Sequence, residues 1–126
     1  MKQEEKLQIA ICRYIKYQYP KIIFNSDQSG LSTSIGQAVK MKKVRSNHAH
    51  LDIVILKPKV VFHGLILEVK KSREEILKKD GTFRKNEHLQ DQIKTKNILQ
   101  QDMYAVYFVW SLDMAKEIID NYMNIL

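Results

Sequence analysis

The chain has 126 residues, 44% of them apolar and 28% charged, with a formal net charge of +7. That length supports one hydrophobic core rather than two, and with 4 glycines and 2 prolines it lacks the composition of a disordered segment. The single cysteine, Cys12, excludes an internal disulfide, no apolar run approaches a bilayer span, and the excess of basic residues favours a polyanionic partner.

The chain opens directly into Glu4, Glu5 and Lys6, without the apolar stretch of an export signal, so a soluble, cytoplasmic protein is expected. Over residues 4–18, Leu7, Ile11, Tyr14, Ile15 and Gln18 recur at steps of three and four, which predicts an amphipathic helix that Tyr19-Pro20 ends. Residues 21–24 read as a short strand and residues 25–33 as a polar loop around Gly30. Ser34 then caps a short helix running to Lys42, with Ile35, Ala38 and Val39 expected to face inward.

Two apolar runs follow, residues 50–57 and 62–71, and both carry charge. Successive side chains of a strand point to opposite faces, so Glu68 and Lys70 share one face while Leu67 and Val69 take the other. An antiparallel hairpin centred near Val60, with a connection of about five residues from Pro58 to Phe62, sets Asp52 opposite Glu68. Two carboxylates then converge beside a lysine. Charges on an otherwise apolar strand need partners, and a divalent cation is one candidate.

Downstream, Ser72-Arg-Glu-Glu75 has the pattern of a capping box and predicts a short helix to Lys79, broken by Asp80-Gly81-Thr82. Residues 80–86 form a polar, positively charged loop. Leu89, Ile93, the stem of Lys96, Ile98 and Leu99 predict a helix over 87–101. Residues 104–110 are apolar on both faces and read as a buried parallel strand rather than an edge, with the 87–101 helix crossing one face of the sheet. Ser111 caps a last helix whose inner face is Ala115, Ile118, Ile119, Tyr122 and Met123. Trp110 and the tyrosines are assigned to the core rather than to base stacking.

Basic residues bracket the acidic centre: Lys40, Lys42, Lys43 and Arg45 before Asp52, and Lys71, Arg73, Lys78, Lys79, Arg84 and Lys85 after Lys70. The segment His48-Ala-His50-Leu-Asp52 also matches the His-x-His-x-Asp of zinc hydrolases of the metallo-β-lactamase type. That fold needs a longer chain, a histidine directly after the aspartate and further ligands. Here Ile53 follows, and only His63 and His88 remain, so His48 and His50 are read as loop residues near a nucleic-acid path.

Asp52, then fifteen residues, then Glu68-Val-Lys70 resembles the PD-(D/E)XK nuclease signature. The match extends to an opening helix with Glu5-Lys-Leu-Gln8, the segment Ser29-Gly-Leu-Ser-Thr-Ser34, His63-Gly-Leu-Ile-Leu-Glu-Val-Lys70 and His88-Leu-Gln-Asp-Gln92. Over residues 4–123 the chain is similar to the virus-type replication-repair nuclease (VRR-NUC) domain, in its stand-alone phage form. One position departs: Leu51 stands where the family has proline before the aspartate.

The resemblance implies an α/β fold with the restriction-endonuclease-like PD-(D/E)XK core, a central mixed sheet flanked by helices, in one domain spanning 1–126. It implies phosphodiester hydrolysis with Asp52, Glu68, Lys70 and Gln92 as catalytic residues. Mg²⁺ or Mn²⁺ would be held by Asp52, Glu68, the Val69 carbonyl and, through water, Glu5; the resemblance places Glu5 and Gln8 at the active-site rim, and for both the alternative is plain helix surface. Ser32, Thr33, Ser34, Lys40, Lys43, Arg45, Lys71, Arg84 and Lys85 are the expected nucleic-acid contacts. The implied substrate is DNA, branched or a four-way junction, cut by a homodimer in the host cytoplasm. The alternative is a nucleic-acid-binding module of a phage replication or defence complex that does not cut.

Overall fold

The computed structural model describes residues 1–27, 34–49 and 51–126. In chain order these form α1 (Gln3–Gln18), β1 (Phe24–Ser26), α2 (Ile35–Lys43), β2 (Ile53–Ile55), β3 (Leu65–Val69), α3 (Glu87–Gln101), β4 (Ala105–Val109) and α4 (Leu112–Met123), with a 3₁₀ turn at Arg73–Glu75. The strands make one mixed sheet in the order β1-β2-β3-β4, antiparallel up to β3 and parallel between β3 and β4. No helix among the described residues is long and apolar enough to cross a membrane.

The two faces of the sheet follow from strand alternation. Ile53, Ile55, Leu65, Leu67, Val69, Ala105 and Val109 point to one side, where Ile11 and Ile15 of α1 and Ala115, Ile119 and Tyr122 of α4 close the main core. Phe108 points to the other side and packs with Leu89 of α3 and with Ile76. Helices α1 and α4 are also joined at the surface, where the Tyr14 and Tyr19 hydroxyls donate to the same Asp120 oxygen at 2.6 and 2.7 Å.

The hairpin register agrees with the expectation. Ile53 pairs with Leu67, Val54 with Ile66 and Ile55 with Leu65, which brings Asp52 level with Glu68. The connection is tighter than a five-residue loop: Lys59 and Phe62 exchange main-chain hydrogen bonds around Val60 and Val61, and Val60 has φ 48°. Between that turn and the ladder, three residues on the β2 side (56–58) face two on the β3 side (63–64), which is a one-residue bulge. Gly64 serves this crowding, because a Cβ there would stand 2.9 Å from the Ile55 carbonyl oxygen.

Several expectations are corrected. The first strand begins at Phe24 rather than Lys21, because Ile22 is still held in the turn by its bond to the Tyr19 carbonyl. Helix α2 has the Ser34 cap, with Gln37 returning the bond, but buries no residue: Ile35 and Val39 are exposed, since no layer of the described structure packs on it. Ser72 makes no side-chain cap. The Glu75 carboxylate accepts from the Lys71 amide instead, and a single 3₁₀ turn replaces the expected helix. Residues 77–83 close as a small hairpin, with Leu77 bridged to Phe83 and Asp80 accepting from the Thr82 amide and hydroxyl. Strand β4 is parallel as expected but lies at the sheet edge, with Tyr107 exposed. Its two-sided apolar pattern reflects helices on both faces rather than a strand on each side.

Candidate active site

Asp52 directly precedes β2, Glu68 lies on β3 and Lys70 directly follows it, so alternation turns Glu68 and Lys70 towards α3. The N-terminus of α3 is capped by the Asn86 side chain accepting from the Leu89 amide, and its buried face carries Leu89, Gln92 and Thr95. Gln92 therefore sits over the end of β3. It accepts from Lys70 Nζ at 2.6 Å and donates to Glu68 Oε2 at 3.3 Å. Asp52 Oδ2 accepts from the Val69 amide at 2.7 Å, across the hairpin.

These four side chains are buried: Asp52 is 8% exposed, Glu68 3%, Lys70 6% and Gln92 5%. The electrostatics follow from that burial. Desolvation, and then the neighbouring Asp52 carboxylate, push the Glu68 carboxyl up to about 9, with the Asp52 amide and the Lys70 charge opposing. Glu68 thus keeps its proton at neutral pH when no cation is beside it. Beneath the lysine lies Phe108, with Nζ 6.0 Å from the ring centroid; Phe108 pairs with Glu68 in the parallel register.

The first helix also reaches the site. Gln8 is buried, not helix surface. Its amide nitrogen donates to Ser26 Oγ at 2.7 Å, the Asp27 carbonyl at 2.9 Å and the Asp52 carbonyl at 3.3 Å. It fixes the main chain on which Asp52 sits. Glu5 is buried as well. Glu4 of the same turn also lies within electrostatic reach of Asp52 and Lys70, and its carboxyl is raised by burial and by a hydrogen bond to Glu75. Glu4 and Glu75 escaped the sequence reading. Their only signals were adjacency to Glu5 and membership of a supposed helix cap.

Of the expected nucleic-acid contacts, Ser32 and Thr33 lie outside the described residues, as do Ser29 and His50. Ser34 is committed to capping α2. Lys40 and Lys43 are exposed on α2, and Lys71 and Lys85 are exposed on either side of the 3₁₀ turn and small hairpin. Arg45 is half-buried and paired with Asp27 at 3.8 Å, and the Arg84 side chain is bonded to the Glu74 carbonyl. Among the described residues no three His, Cys, Asp or Glu side chains gather around a metal-sized point, and His48, His63 and His88 lie on separate exposed segments.

Acids brought together by a central antiparallel hairpin, a lysine at the end of the second strand, and helices on both faces make a mixed α/β fold with its charged residues gathered at one end of the sheet. No family model matches the chain, and no curated protein matches it by sequence. Among solved structures the chain is similar to one described as a "VRR_NUC domain protein", with a TM-score of 0.63 and 16% sequence identity, over 99% of this chain and 91% of that one. The protein shares the VRR_NUC domain fold from end to end.

Proposed function

We propose that the protein is a metal-dependent nuclease that hydrolyses phosphodiester bonds in DNA, with a branched or junction substrate and action as a homodimer. The observation that carries this reading is the buried cluster of Asp52, Glu68, Lys70 and Gln92 at the end of the central hairpin. Burying two acids and a lysine costs stability, and such clusters concentrate at sites that do chemistry.

The donor set fits a hard divalent ion. Asp52, Glu68 and the Val69 carbonyl offer oxygen, the preference of Mg²⁺ and Mn²⁺, and an ion that keeps several waters does not need a third carboxylate. A bound divalent cation supplies Lewis acidity at the phosphate and lowers the pKa of water. The chain's own groups do the rest. Gln92 takes one hydrogen of the Lys70 ammonium and holds the remaining two towards the space beside Glu68, where they can orient a water or a phosphate oxygen. Gln8 and the Val69 amide hold Asp52 from both its main-chain and side-chain ends, so the acid does not reorganise during the reaction.

The test is cleavage of end-labelled four-way junction, flap, duplex and single-stranded DNA, each with Mg²⁺, with Mn²⁺ and with chelator. Wild type is compared with Lys70→Ala. Paired symmetric cuts in the junction, lost with chelator and with the variant, are expected. Salt-sensitive binding with no cutting of any substrate would replace the nuclease with a recognition module.

A further inference from the structure

Among the described residues, helix α3 covers the β3–β4 half of its sheet face and leaves the β1–β2 half uncovered. The result is a cleft of about 410 Å³ between Val54 of β2 and Thr95, Ile98 and Leu99 of α3, closed at the side by residues 45–49. Its lining is mainly apolar, with Arg45 and His48 at one rim. The Asp27 acid on that rim is paired with Arg45.

Two observations connect this cleft to the candidate active site. First, Ala49, Leu51, Thr95 and Leu99 line both the cleft and a packed gap that reaches Glu68 and Gln92. Thr95 stands three residues beyond Gln92, about 4.5 Å along the helix. Val54 stands two residues beyond Asp52, about 6.6 Å along the strand. These steps are on the scale of neighbouring nucleotides on one strand of nucleic acid. Second, Thr95 is 8% exposed and its hydroxyl makes no hydrogen bond among the described residues. A buried hydroxyl that no described residue satisfies is a place for a hydrogen-bonding ligand, and a base edge entering the cleft would supply a partner.

We propose that the cleft receives one unpaired nucleoside of the substrate next to the scissile phosphate, with the base between Val54 and Ile98, its polar edge on the Thr95 hydroxyl and the adjoining phosphate at Arg45 and His48. The proposal rests on the nuclease reading for its orientation and makes that enzyme selective for DNA in which a nucleotide at the cut is unstacked. A paired, stacked base cannot enter a cleft walled by a sheet and a helix.

The first test does not need activity. Thymidine 5′-monophosphate is titrated in chelator into isotope-labelled protein and followed by amide chemical shifts. Saturable shifts at Val54, Thr95 and Ile98 are expected, and they should vanish in Ile98→Trp, which fills the cleft from a position already 42% exposed. Thr95→Val removes only the hydroxyl. It is expected to raise the melting temperature of the free protein while weakening the nucleotide about threefold to tenfold. Absence of saturable shifts at these residues, or no loss in either variant, overturns the cleft. The second test compares Mg²⁺-dependent cleavage of DNA carrying an unpaired nucleotide at the cut with continuous duplex. Ile98→Trp should lower the first by about tenfold or more and leave the second within about twofold, the scale of one lost stacking contact. Equal effects on both overturn the cleft but leave the nuclease standing. A wild type that cuts nothing overturns the nuclease, and the mononucleotide titration then decides the cleft alone.

Discussion

Glu68 carries the clearest consequence of burial. Its carboxyl lies near 9 in the folded protein against an ordinary 4.5, so the folded state holds a proton that the unfolded chain releases. A raised folded value means that this group's stabilisation is full below pH 4.5 and is lost as pH rises towards 9. In chelator, the unfolding free energy from urea titration should therefore fall across that window, by up to about 1.4 kcal/mol per pH unit, and Glu68→Gln should flatten the slope. Under the nuclease reading a divalent ion must displace that proton, so calorimetry in two buffers of different ionisation heat should show proton release on Mg²⁺ binding. Gln92 bridges both charges, and Gln92→Ala leaves the buried Lys70 ammonium without its acceptor. That variant should cost about 1–3 kcal/mol in chemical denaturation and lower cleavage by about tenfold to a hundredfold. Retention of full activity would mean that the Lys70 geometry is irrelevant to the reaction. The convergence of Asp52, Glu68 and Lys70 was legible from alternation and register alone. The hold of Gln8 on the Asp52 carbonyl was not, because a buried glutamine on a helix has the same letter and spacing as an exposed one.

At the level of elements, long periodic segments were read closely: α3 runs over Glu87–Gln101 and α4 starts after its Ser111 cap. The errors cluster where competing local bonds decide. Glu75 bonded the Lys71 amide rather than completing a Ser72 cap, and the residues after it turned back as a hairpin. The inward face assigned to α2 failed for another reason: periodicity states which residues share a side but not whether anything covers that side. The bulge in the central hairpin was invisible, since its residue count differs by one from an ordinary loop. Gly64 is its marker. Gly64→Ala would drive a methyl against the Ile55 carbonyl and should lower stability by about 1–3 kcal/mol, read as a shift of the thermal midpoint. Because the displaced strand carries Glu68, divalent-ion affinity should weaken in the same variant.

For the molecule as a whole, α1 and α4 act as a clasp across the sheet face opposite the candidate site. Asp120 accepts from both Tyr14 and Tyr19; the hydrogen bond to Asp120 pushes the Tyr14 phenol up to about 12, and burial chiefly raises Tyr19. Asp120→Ala should bring two tyrosine titrations back towards their usual range and lower stability by about 1–2 kcal/mol, while cleavage of saturating substrate stays unchanged. Loss of cleavage without loss of stability would show that the clasp reaches the site. The parallel pairing of β3 with β4 has a further consequence. Glu68 and Lys70 are held in place partly by a strand that begins at Ala105, and the Lys70 amide bonds the Val109 carbonyl. Contacts so distant in sequence close late and slowly. A ribosome making this chain therefore exposes the basic segments before the acids and lysine are aligned, and under the nuclease reading the nascent protein can meet nucleic acid before it can cut it.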